Sequence, residues 1–378
     1  MKKIIPGVFL LLFIAGYALA QDKYPTITVK NGSSIDRTNT LIAIPWTDVL
    51  KADPDIDTAN FSVMNKFTET EIPHQLEYRG EKAVQNLLLQ VSVKAKEALT
   101  LLVFAKKAAP VSPKTYARYV PERKDDFAWE NDKIAFRMYG KALENTSEDA
   151  KGIDVWVKST PKLVVNDRYK KNDYHNDHGD GLDYYSVGFT LGAGGMAPFM
   201  NDTVYFSGNY RNSKVLDNGP LRSTFQLTYD EWNAGGNKVN VIKTISIDAG
   251  SQLNRIESLY TFSDGGGKLP VAIGLATRAE KEKKIFFDKK GILGYWEPVH
   301  GNDGITGVAA VSEKPLQKTL NQPKQVLALT EVRNNQPYVY YAGAAWNKAG
   351  EINNETEWFN YLQKFKKELQ SPLKVSVK

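Results

Sequence analysis

The chain has 378 residues and no cysteine, so its core must be stabilised by burial without disulfide bonds. The formal net charge is +6 at pH 7, and because basic residues are interleaved with acidic ones, a nucleic-acid-binding surface is not expected. Beyond residue 20 no run approaches the ~18 apolar residues that a membrane-spanning helix needs, so no membrane span is expected either.

The first twenty residues have the features of a secretory signal peptide. Lys2 and Lys3 form a basic start, residues 8–15 are apolar, and residues 18–20 read Ala-Leu-Ala, as at a cleavage site. We expect cleavage before Gln21 and export across the inner membrane, to the periplasm or beyond. Removing this peptide takes away two lysines and lowers the formal net charge from +6 to +4.

From residue 24 to about residue 107 the sequence predicts short β-strands. Segments such as ITVKNGS, LIAIPW and AVQNLLLQVSV alternate or run apolar and are separated by Asn, Gly, Asp and Pro. A connector containing Pro110 and Pro113 follows. We therefore divide the mature chain into an N-terminal β-sheet region at 21–110 and a main region at 111–378, which we expect to form one integrated unit.

The segment 117–143 is rich in charged and aromatic side chains. Its central part alternates as a strand does, so Phe136 lies on one face while Arg137 and Tyr139 share the other. That second face is either the wall of a ligand site or a solvated sheet face. A guanidinium can pair with a carboxylate through two hydrogen bonds, so Arg123 and Arg137 are candidate carboxylate-binding residues.

The densest group of reactive side chains lies between residues 172 and 198. It contains two histidines, four aspartates and three tyrosines: His175, His178, Asp173, Asp177, Asp180, Asp183, Tyr174, Tyr184 and Tyr185. Carboxylates and imidazoles are costly to bury unpaired, and a solvated loop has no use for so many rings. We interpret the segment as the floor of a site. The alternative is a polar hairpin with satisfied side chains.

After this segment the strand pattern continues, with glycine-containing turns at 233–237 and 264–267 that indicate a long antiparallel meander. One helix is predicted, at 355–369, from apolar residues spaced three and four apart. Asn354 or its neighbour could cap it, and Pro372 prevents its continuation. The pattern predicts an all-β fold, a large antiparallel β-sandwich with one C-terminal helix.

Several of these segments resemble the DUF4861 family, exported proteins from polysaccharide-degrading gene clusters of Bacteroidetes-type bacteria. The resemblance is carried by residues 121–140, 152–156, 174–195 and 219–232, and it covers nearly all of the mature chain. It implies a supersandwich related to galactose-mutarotase-like and polysaccharide-lyase sandwiches. It also implies an activity, the removal of water from the terminal uronic acid of ulvan-type acidic oligosaccharides to give a 4,5-unsaturated uronate.

Elimination of water from a uronate needs a group that neutralises the carboxylate, a base and an acid. Histidine is a natural proton carrier, so His175 and His178 are candidates for base or acid. Tyr184 is a candidate for the other proton transfer, and Arg123 for neutralising the carboxylate. Further candidates for substrate contact are Trp129, Arg137, Tyr174, Asp180, Tyr185 and Trp296. Each tryptophan also fits packing in the core.

Other interpretations of the same residues stay open. No cofactor is required, although His175, Asp177, His178 and Asp180 could hold a divalent metal at a spacing unlike the defined zinc and calcium patterns. A glycoside hydrolase would need two carboxylates, for which the candidates are Glu130, Asp132, Glu297 and the aspartates of the 172–198 segment. A mutarotase-like epimerase and a non-catalytic carbohydrate-binding protein are the remaining alternatives. The expected partner is an acidic oligosaccharide, and no oligomeric state is predicted.

Overall fold

The computed structural model describes residues 24–263, 267–280, 283–299 and 301–378. The predicted signal peptide lies outside these residues. Within them the protein consists mainly of antiparallel β-sheets, as the sequence predicts, and no helix is long and apolar enough to cross a membrane. The predicted division into regions 21–110 and 111–378 stays a prediction.

The N-terminal part contains two small sheets around one aliphatic core. Its strands are β1 (Thr26–Lys30), β2 (Arg37–Pro45), β3 (Ser62–Asn65), β4 (His74–Glu77), β5 (Asn86–Val93) and β6 (Ala98–Phe104), joined by the last strand of the chain, β25 (Lys374–Val377). One sheet has the order β25-β1-β6-β3 and the other β2-β5-β4. Alternate residues of these strands, such as Ile27, Val29, Leu87 and Leu89, are fully buried between the sheets.

A four-stranded sheet follows, with the order β10-β9-β8-β7. Its strands are β7 (Thr115–Val120), β8 (Asp126–Asn131), β9 (Ala135–Met138) and β10 (Asp154–Trp156). Every residue of β8, β9 and β10 is buried, so both faces of this part of the sheet are covered. Phe127, Trp129 and Phe136 face the main core, and the opposite face carries polar side chains.

Two larger sheets stack face to face and enclose the main core. The first, with the order β12-β11-β18-β23-β22, consists of β11 (Ala193–Met200), β12 (Thr203–Val204), β18 (Lys268–Ala276), β22 (Thr319–Gln322) and β23 (Gln325–Arg333). The second has the order β13-β14-β16-β17-β24-β21-β20-β19, with β15 on β16. Its strands are β13 (Asn212–Asn218), β14 (Arg222–Thr228), β15 (Trp232–Ala234), β16 (Asn237–Asp248), β17 (Leu253–Phe262), β19 (Lys284–Asp288), β20 (Ile292–Trp296), β21 (Thr306–Ser312) and β24 (Pro337–Trp346).

Three α-helices occur in the described parts of the chain: α1 (Trp46–Ala52), α2 (Val165–Lys171) and α3 (Glu355–Gln370). The sequence predicts α3 but neither α1 nor α2, because seven residues make only two turns, too few to establish a 3.6-residue apolar period. The side chain of Asn354 caps α3 by accepting a hydrogen bond from the Glu357 amide. Trp358 and Leu362 of α3 are fully buried in a core shared with β20 and β21.

Candidate active site

The segment that the sequence singles out forms an irregular loop after α2. Asp177 Oδ1 accepts hydrogen bonds from the amides of Gly179 (2.8 Å) and Gly181 (2.9 Å), which closes a turn in its middle. Gly181 has φ +100°, and a Cβ there would lie 2.2 Å from the carbonyl oxygen of Val157. Glycine is therefore required at this position. The segment is a loop with a tight turn and does not form the polar hairpin considered above.

Three consecutive residues in the middle of this loop, Asp183, Tyr184 and Tyr185, have side chains that contact different parts of the structure. Asp183 contacts Arg137, with Oδ2 3.0 Å from Nη2. The hydroxyl of Tyr184 lies 2.6 Å from Thr306 Oγ1 at the start of β21. Tyr185 is buried in the main core. These three consecutive residues thus connect the loop to two buried polar groups.

The first group is the arginine–aspartate cluster, formed by Arg137, Asp126, Asp154 and Asp183. Arg137 Nη2 lies 2.5 Å from Asp154 and 3.0 Å from Asp183, and Nη1 lies 3.8 Å from Asp126. Burial raises the pKa of Asp126 to about 6, while Arg137 acts in the opposite direction. Burial likewise raises the pKa of Asp154 and of Asp183. Three buried carboxyl groups thus share one guanidinium, and burial favours their protonated forms.

Arg137 is therefore unavailable to a substrate, contrary to the sequence-based expectation. Its side chain is only 6% exposed, and the guanidinium carbon lies 4.8 Å from the ring centre of Tyr139 and 5.3 Å from that of Trp156. The face of β9 that carries Arg137 was expected to be a ligand wall or a solvated face. It is instead a covered face, because Val165 and Tyr169 of α2 and Tyr174 of the loop pack on it.

The two histidines lie on the outside of this cluster. His175 Nδ1 is 2.9 Å from the carbonyl oxygen of Asp183, and its side chain is 67% exposed. His178 Nε2 is 3.0 Å from Asp173 Oδ2, and both side chains are about half exposed. Each imidazole thus has an oxygen partner that can orient it. The segment was interpreted as the floor of a site, and in the structure both imidazoles lie at the protein surface.

Arg123 has two of its three guanidinium nitrogens paired, and the third, Nη1, is buried without a hydrogen-bond partner among the described residues. Its Nε donates to the Tyr174 hydroxyl at 2.9 Å, and its Nη2 donates to Glu148 Oε2 at 2.6 Å. Tyr174 is itself buried and stacks on Trp156, with ring centres 4.7 Å apart. Arg123 and Tyr174 therefore contact each other beside the arginine–aspartate cluster, and Glu148 already neutralises Arg123.

Three further residues predicted to contact substrate are core residues. Trp129 is fully buried, and its Nε1 donates to Asn254 Oδ1 at 2.9 Å. Trp296 packs against Gly307 under α3, and Tyr185 is 5% exposed. None of these rings offers a face to a sugar. Asp180 is partly exposed, but it pairs with Arg168 at 3.3 Å.

The predicted metal ligands do not converge. Asp177 binds backbone amides, Asp180 binds Arg168, and His178 binds Asp173, so their donor atoms face different partners. Across the described ranges, no group of three or more His, Asp or Glu side chains is arranged to hold a metal ion. The requirement for a cofactor stays untested by this geometry.

A second polar group, the glutamate–arginine pair, is formed by Glu297 and Arg278. Glu297 directly follows β20 and is 3% exposed, and Arg278 lies two residues beyond β18. Arg278 Nε donates to Glu297 Oε1 at 3.0 Å. The Tyr295 hydroxyl accepts from the Arg278 amide at 3.2 Å and donates to Glu280 Oε1. The guanidinium carbon of Arg278 also lies 5.9 Å from the ring centre of Tyr184.

Several buried polar atoms around this pair have no hydrogen-bond partner among the described residues. They are Arg278 Nη2, Glu280 Oε2, Glu297 Oε2 and the Tyr185 hydroxyl. Four such atoms in one place are unusual, because buried polar groups are nearly always paired and exceptions often mark functional sites. The arginine–aspartate cluster has unpaired buried atoms as well, namely Arg137 Nε and Nη1, Asp154 Oδ2 and Trp156 Nε1, so their number does not separate the two groups. The Arg278 side chain is 26% exposed, whereas that of Arg137 is 6% exposed, so the glutamate–arginine pair is the better candidate for a ligand-binding centre.

The protonation of Glu297 suits acid–base chemistry. Burial raises the pKa of Glu297 to about 7, while Arg278 acts to lower it. Burial, followed by the nearby Glu297, also raises the pKa of Tyr184, so this phenol stays protonated. A carboxyl group that titrates near neutrality, beside a guanidinium and a phenol, can give or take a proton at a charged substrate.

Sequence reasoning did not find this pair. Glu297 appeared only as one possible carboxylate of a hydrolase, and neither Arg278 nor Glu280 was singled out. A signal was present, because each of Arg278 and Glu297 follows directly, or within two residues, a strand that ends in a fully buried apolar run. Charged residues at the ends of such strands are typical of sites at the rim of a sheet.

A family model and a curated relative each match nearly the whole chain. The family described as "Domain of unknown function (DUF4861)" matches residues 29–375. "Uncharacterized protein P7" of Formosa agariphila is 30% identical over 403 residues, which cover 98% of this chain and 99% of that protein.

Solved structures are similar in fold only. An alpha-mannosidase from Enterococcus faecalis matches with a TM-score of 0.51 and 8% identity, over 95% of this chain and 46% of that one. A glycosyl hydrolase family 38 protein from the same organism matches with a TM-score of 0.47 and 9% identity, over 94% of this chain and 47% of that one. The chain thus spans about half the length of the solved structures it matches.

Proposed function

The chain belongs to the DUF4861 family, and from its site we propose that it is a carbohydrate-active lyase that removes water from the terminal uronic acid of acidic, ulvan-type oligosaccharides. The product would be a 4,5-unsaturated uronate. The observation that carries the proposal is the glutamate–arginine pair: a buried carboxyl with a pKa near 7, 3.0 Å from a guanidinium that keeps one unpaired donor. The resemblance of the family motifs to dehydratase-associated members supports the substrate class.

Arg278 is the proposed anchor of the substrate carboxylate. The C5 proton of a uronate is acidic only because it neighbours the carboxylate, and negative charge spreads onto that group when the proton leaves. Arg278 Nη2 has no partner among the described residues, so it can donate to a carboxylate oxygen. A guanidinium placed there would stabilise the enolate-like transition state more than the ground state.

Glu297 is the proposed acid. Its raised pKa keeps a large fraction of the group protonated up to about pH 7. In the elimination the C5–H bond breaks, its electron pair forms the C4–C5 double bond, and the C4–O bond breaks. The hydroxyl would leave as water after taking the proton of Glu297. Tyr184 keeps its own proton and can hydrogen-bond the sugar beside the pair.

His175 is the proposed base. Its Nδ1 lies 2.9 Å from the carbonyl oxygen of Asp183, so a hydrogen on Nδ1 would leave the lone pair of Nε2 for the C5 proton. Asp183 directly precedes Tyr184, whose ring centre lies 5.9 Å from the guanidinium carbon of Arg278, so His175 belongs to the same loop as a neighbour of the pair. His178, paired with Asp173, is the second candidate. Catalytic contacts often tighten only when substrate binds.

A glycoside hydrolase is the second candidate function, favoured by one observation. Glu280 and Glu297 approach the same Tyr295 and Arg278 side of the site, and each keeps its Oε2 without a partner among the described residues. Two carboxyl groups facing one site are what glycoside hydrolysis needs. This alternative uses Glu297 as acid too, but it predicts a different product.

The test is incubation of the purified protein with uronate-terminated oligosaccharides prepared from ulvan, followed by mass spectrometry and ultraviolet absorbance. A dehydratase gives loss of one water without chain cleavage, together with the absorbance of a conjugated C4–C5 double bond. A hydrolase gives shorter chains with one added water and no new absorbance. An epimerase changes neither mass nor absorbance, and a binding protein leaves the oligosaccharide intact. The outcomes expected for a hydrolase, an epimerase or a binding protein would each contradict the proposed dehydration.

A further inference from the structure

A groove lies on the other side of α3 from the glutamate–arginine pair. It has a volume of about 540 Å³ and is bounded by residues 37–43 of β2, by the turn at 248–251 and by the outer face of α3. Cavities of about 300 to 1,000 Å³ are typical of small-molecule sites. The groove is therefore large enough for several sugar rings and needs its own explanation.

One wall of the groove is aromatic. Tyr341, Tyr361 and Phe365 line it. The Phe365 ring centre lies 5.1 Å from that of Tyr341 and 6.2 Å from that of Tyr361. All three side chains are only partly buried, so their rings present apolar surface to the groove. The flat C–H face of a sugar ring can pack on such a surface, as other apolar faces pack on aromatic rings.

Basic side chains line the same groove. Arg37 donates from Nη2 to the carbonyl oxygens of Glu368 (2.9 Å) and Ser371, and its buried Nε has no partner among the described residues. Arg255 and Lys364 are partly or largely exposed, with Glu257 3.1 Å from Arg255 and Glu368 4.0 Å from Lys364. The two exposed cations can therefore turn toward an anionic ligand at little cost.

Two acidic side chains that line the groove, Asp248 and Glu313, have hydrogen-bond partners within the protein. Asp248 is held by two hydrogen bonds from Arg222, at 2.6 and 2.8 Å, so it presents little unneutralised charge. Glu313 reaches the Tyr341 hydroxyl at 3.5 Å. Cationic and anionic side chains next to aromatic rings suit a ligand that has many hydroxyl groups and some negative charge.

We propose that this groove is a second, non-catalytic site that binds an anionic oligosaccharide. Trp358 and Leu362 of α3 face β20 and β21, whereas Tyr361, Lys364 and Phe365 of the same helix line the groove. Trp296 packs against α3, whereas Tyr295, which contacts the glutamate–arginine pair, faces the main core, so both α3 and the nine-stranded sheet lie between the groove and Glu297. No group of the proposed reaction lines the groove, so this second site does not rest on that reaction.

The test uses the full-length mature protein and two probes, a uronate tetrasaccharide and a neutral glucose tetrasaccharide, in calorimetric titrations. The variant Arg255→Gln/Lys364→Gln removes both exposed cations, and Lys367→Gln is the control, because Lys367 is an exposed lysine of α3 outside the groove. We expect the double variant to bind the uronate probe at least about tenfold more weakly, the effect of losing charged hydrogen bonds. The control should match the wild type.

Hydrogen exchange then locates the bound probe. Protection is expected in residues 37–43 and 361–369, in the wild type and equally in Glu297→Gln. Unchanged affinity in the double variant, protection confined to the glutamate–arginine pair, equal affinity for the neutral probe, or no binding at all would each overturn the inference. A protein without dehydratase activity that still shows groove protection supports the second site and contradicts the proposed reaction.

Discussion

Arg278 donates to Glu297 across the two stacked sheets of the sandwich. Arg278 follows β18, which belongs to the five-stranded sheet, whereas Glu297 follows β20, which belongs to the nine-stranded sheet. The 3.0 Å hydrogen bond between them therefore ties the two sheets together at one end. The loop after α2 reaches the same end through Tyr184. Both the position of the loop and the proton chemistry of Glu297 depend on this contact.

Replacing Glu297 by glutamine tests its role in proton transfer. Glutamine has nearly the same shape and can still accept a hydrogen bond from Arg278, but it cannot supply a proton. We expect kcat to fall by roughly a hundredfold to ten-thousandfold, the usual contribution of a general acid. Because the pKa of Glu297 is about 7, wild-type activity should fall as pH rises above that value, and this limb should be absent in the variant.

The control for this substitution is Glu331→Gln. Glu331 lies on β23 and pairs with Lys268 on the surface, so the same chemical change should leave turnover and melting temperature unaltered. Full turnover in Glu297→Gln would remove Glu297 from the mechanism.

Replacing Arg278 by lysine tests the carboxylate anchor. Lysine keeps the charge but cannot donate to Glu297 and to a substrate carboxylate in the same fixed geometry. We expect kcat/KM for uronate substrates to fall roughly ten- to a hundredfold, as for the loss of one charged hydrogen bond. Arg123→Lys is the comparison, because Arg123 is committed to Tyr174 and Glu148. A larger fall in kcat/KM for Arg123→Lys than for Arg278→Lys would mean that Arg123, as expected from sequence, binds the substrate carboxylate.

Replacing each histidine by alanine tests the base. We expect His175→Ala to lower kcat by roughly a hundredfold or more, since it removes the proposed proton acceptor. His178→Ala should have a smaller effect, because its ring pairs with Asp173 on the outer part of the loop. Both side chains are exposed, so circular dichroism should show an unchanged fold. If both variants retain full turnover, the base lies elsewhere.

The arginine–aspartate cluster predicts how stability changes with pH. The folded protein raises the pKa of Asp126 from 3.8 to about 6, so the folded state binds more protons than the unfolded state between these values. The contribution of Asp126 to the free energy of unfolding is therefore complete below about pH 4 and is lost as the pH rises through 6. This loss is on the order of 3 kcal/mol.

Urea unfolding at pH 4, 5, 6 and 7 checks this prediction. The free energy of unfolding should fall less over this range in Asp126→Asn than in the wild type, because asparagine does not titrate. Asp167→Asn is the control, since Asp167 is exposed on α2. Parallel profiles for Asp126→Asn and the wild type would mean that Asp126 is ionised throughout.

The close packing of Trp296 and Trp358 around Gly307 predicts that an added methyl group is not tolerated there. A Cβ at this position would lie 2.6 Å from Trp296 and 2.8 Å from Trp358, two buried rings that cannot easily move apart. We expect Gly307→Ala to lower the free energy of unfolding by about 1–3 kcal/mol, the usual cost of overpacking, and to reduce kcat by displacing Trp296 next to Glu297. Gly32→Ala, where nothing lies within 4 Å of the added methyl, should be neutral in the same denaturation measurement.

The sequence predicts the architecture well because strand alternation and the 3.6-residue period of α3 are local patterns. It fails at β9 for a physical reason. Alternation tells which side chains share a face but not what covers that face. Arg137 is buried because α2 and the loop after it, which come later in the chain, pack on its side of the sheet. A charged face opposite a core face looks the same in sequence whether it is solvated or covered.

The site predicted at 172–185 stays a prediction. Of its residues, Tyr184 lies beside the proposed glutamate–arginine pair, with its ring centre 5.9 Å from the guanidinium carbon of Arg278. The partners could not be found, because Arg278 and Glu297 come from different sheets and meet only after the sandwich has formed. The burial of aromatic rings was not predictable either, because a ring such as Trp129 fits core packing as well as contact with a sugar, and in the structure it is fully buried.

The three consecutive residues Asp183, Tyr184 and Tyr185 have a consequence for how this family can diverge. Because one peptide segment fixes both the arginine–aspartate cluster and the contact at Thr306, a one-residue insertion inside it would misplace both at once. Length changes should therefore be tolerated earlier in the loop and rejected here. Exchanges at Asp126, Asp154 or Arg137 should covary with Asp183 even in lineages whose substrate has changed.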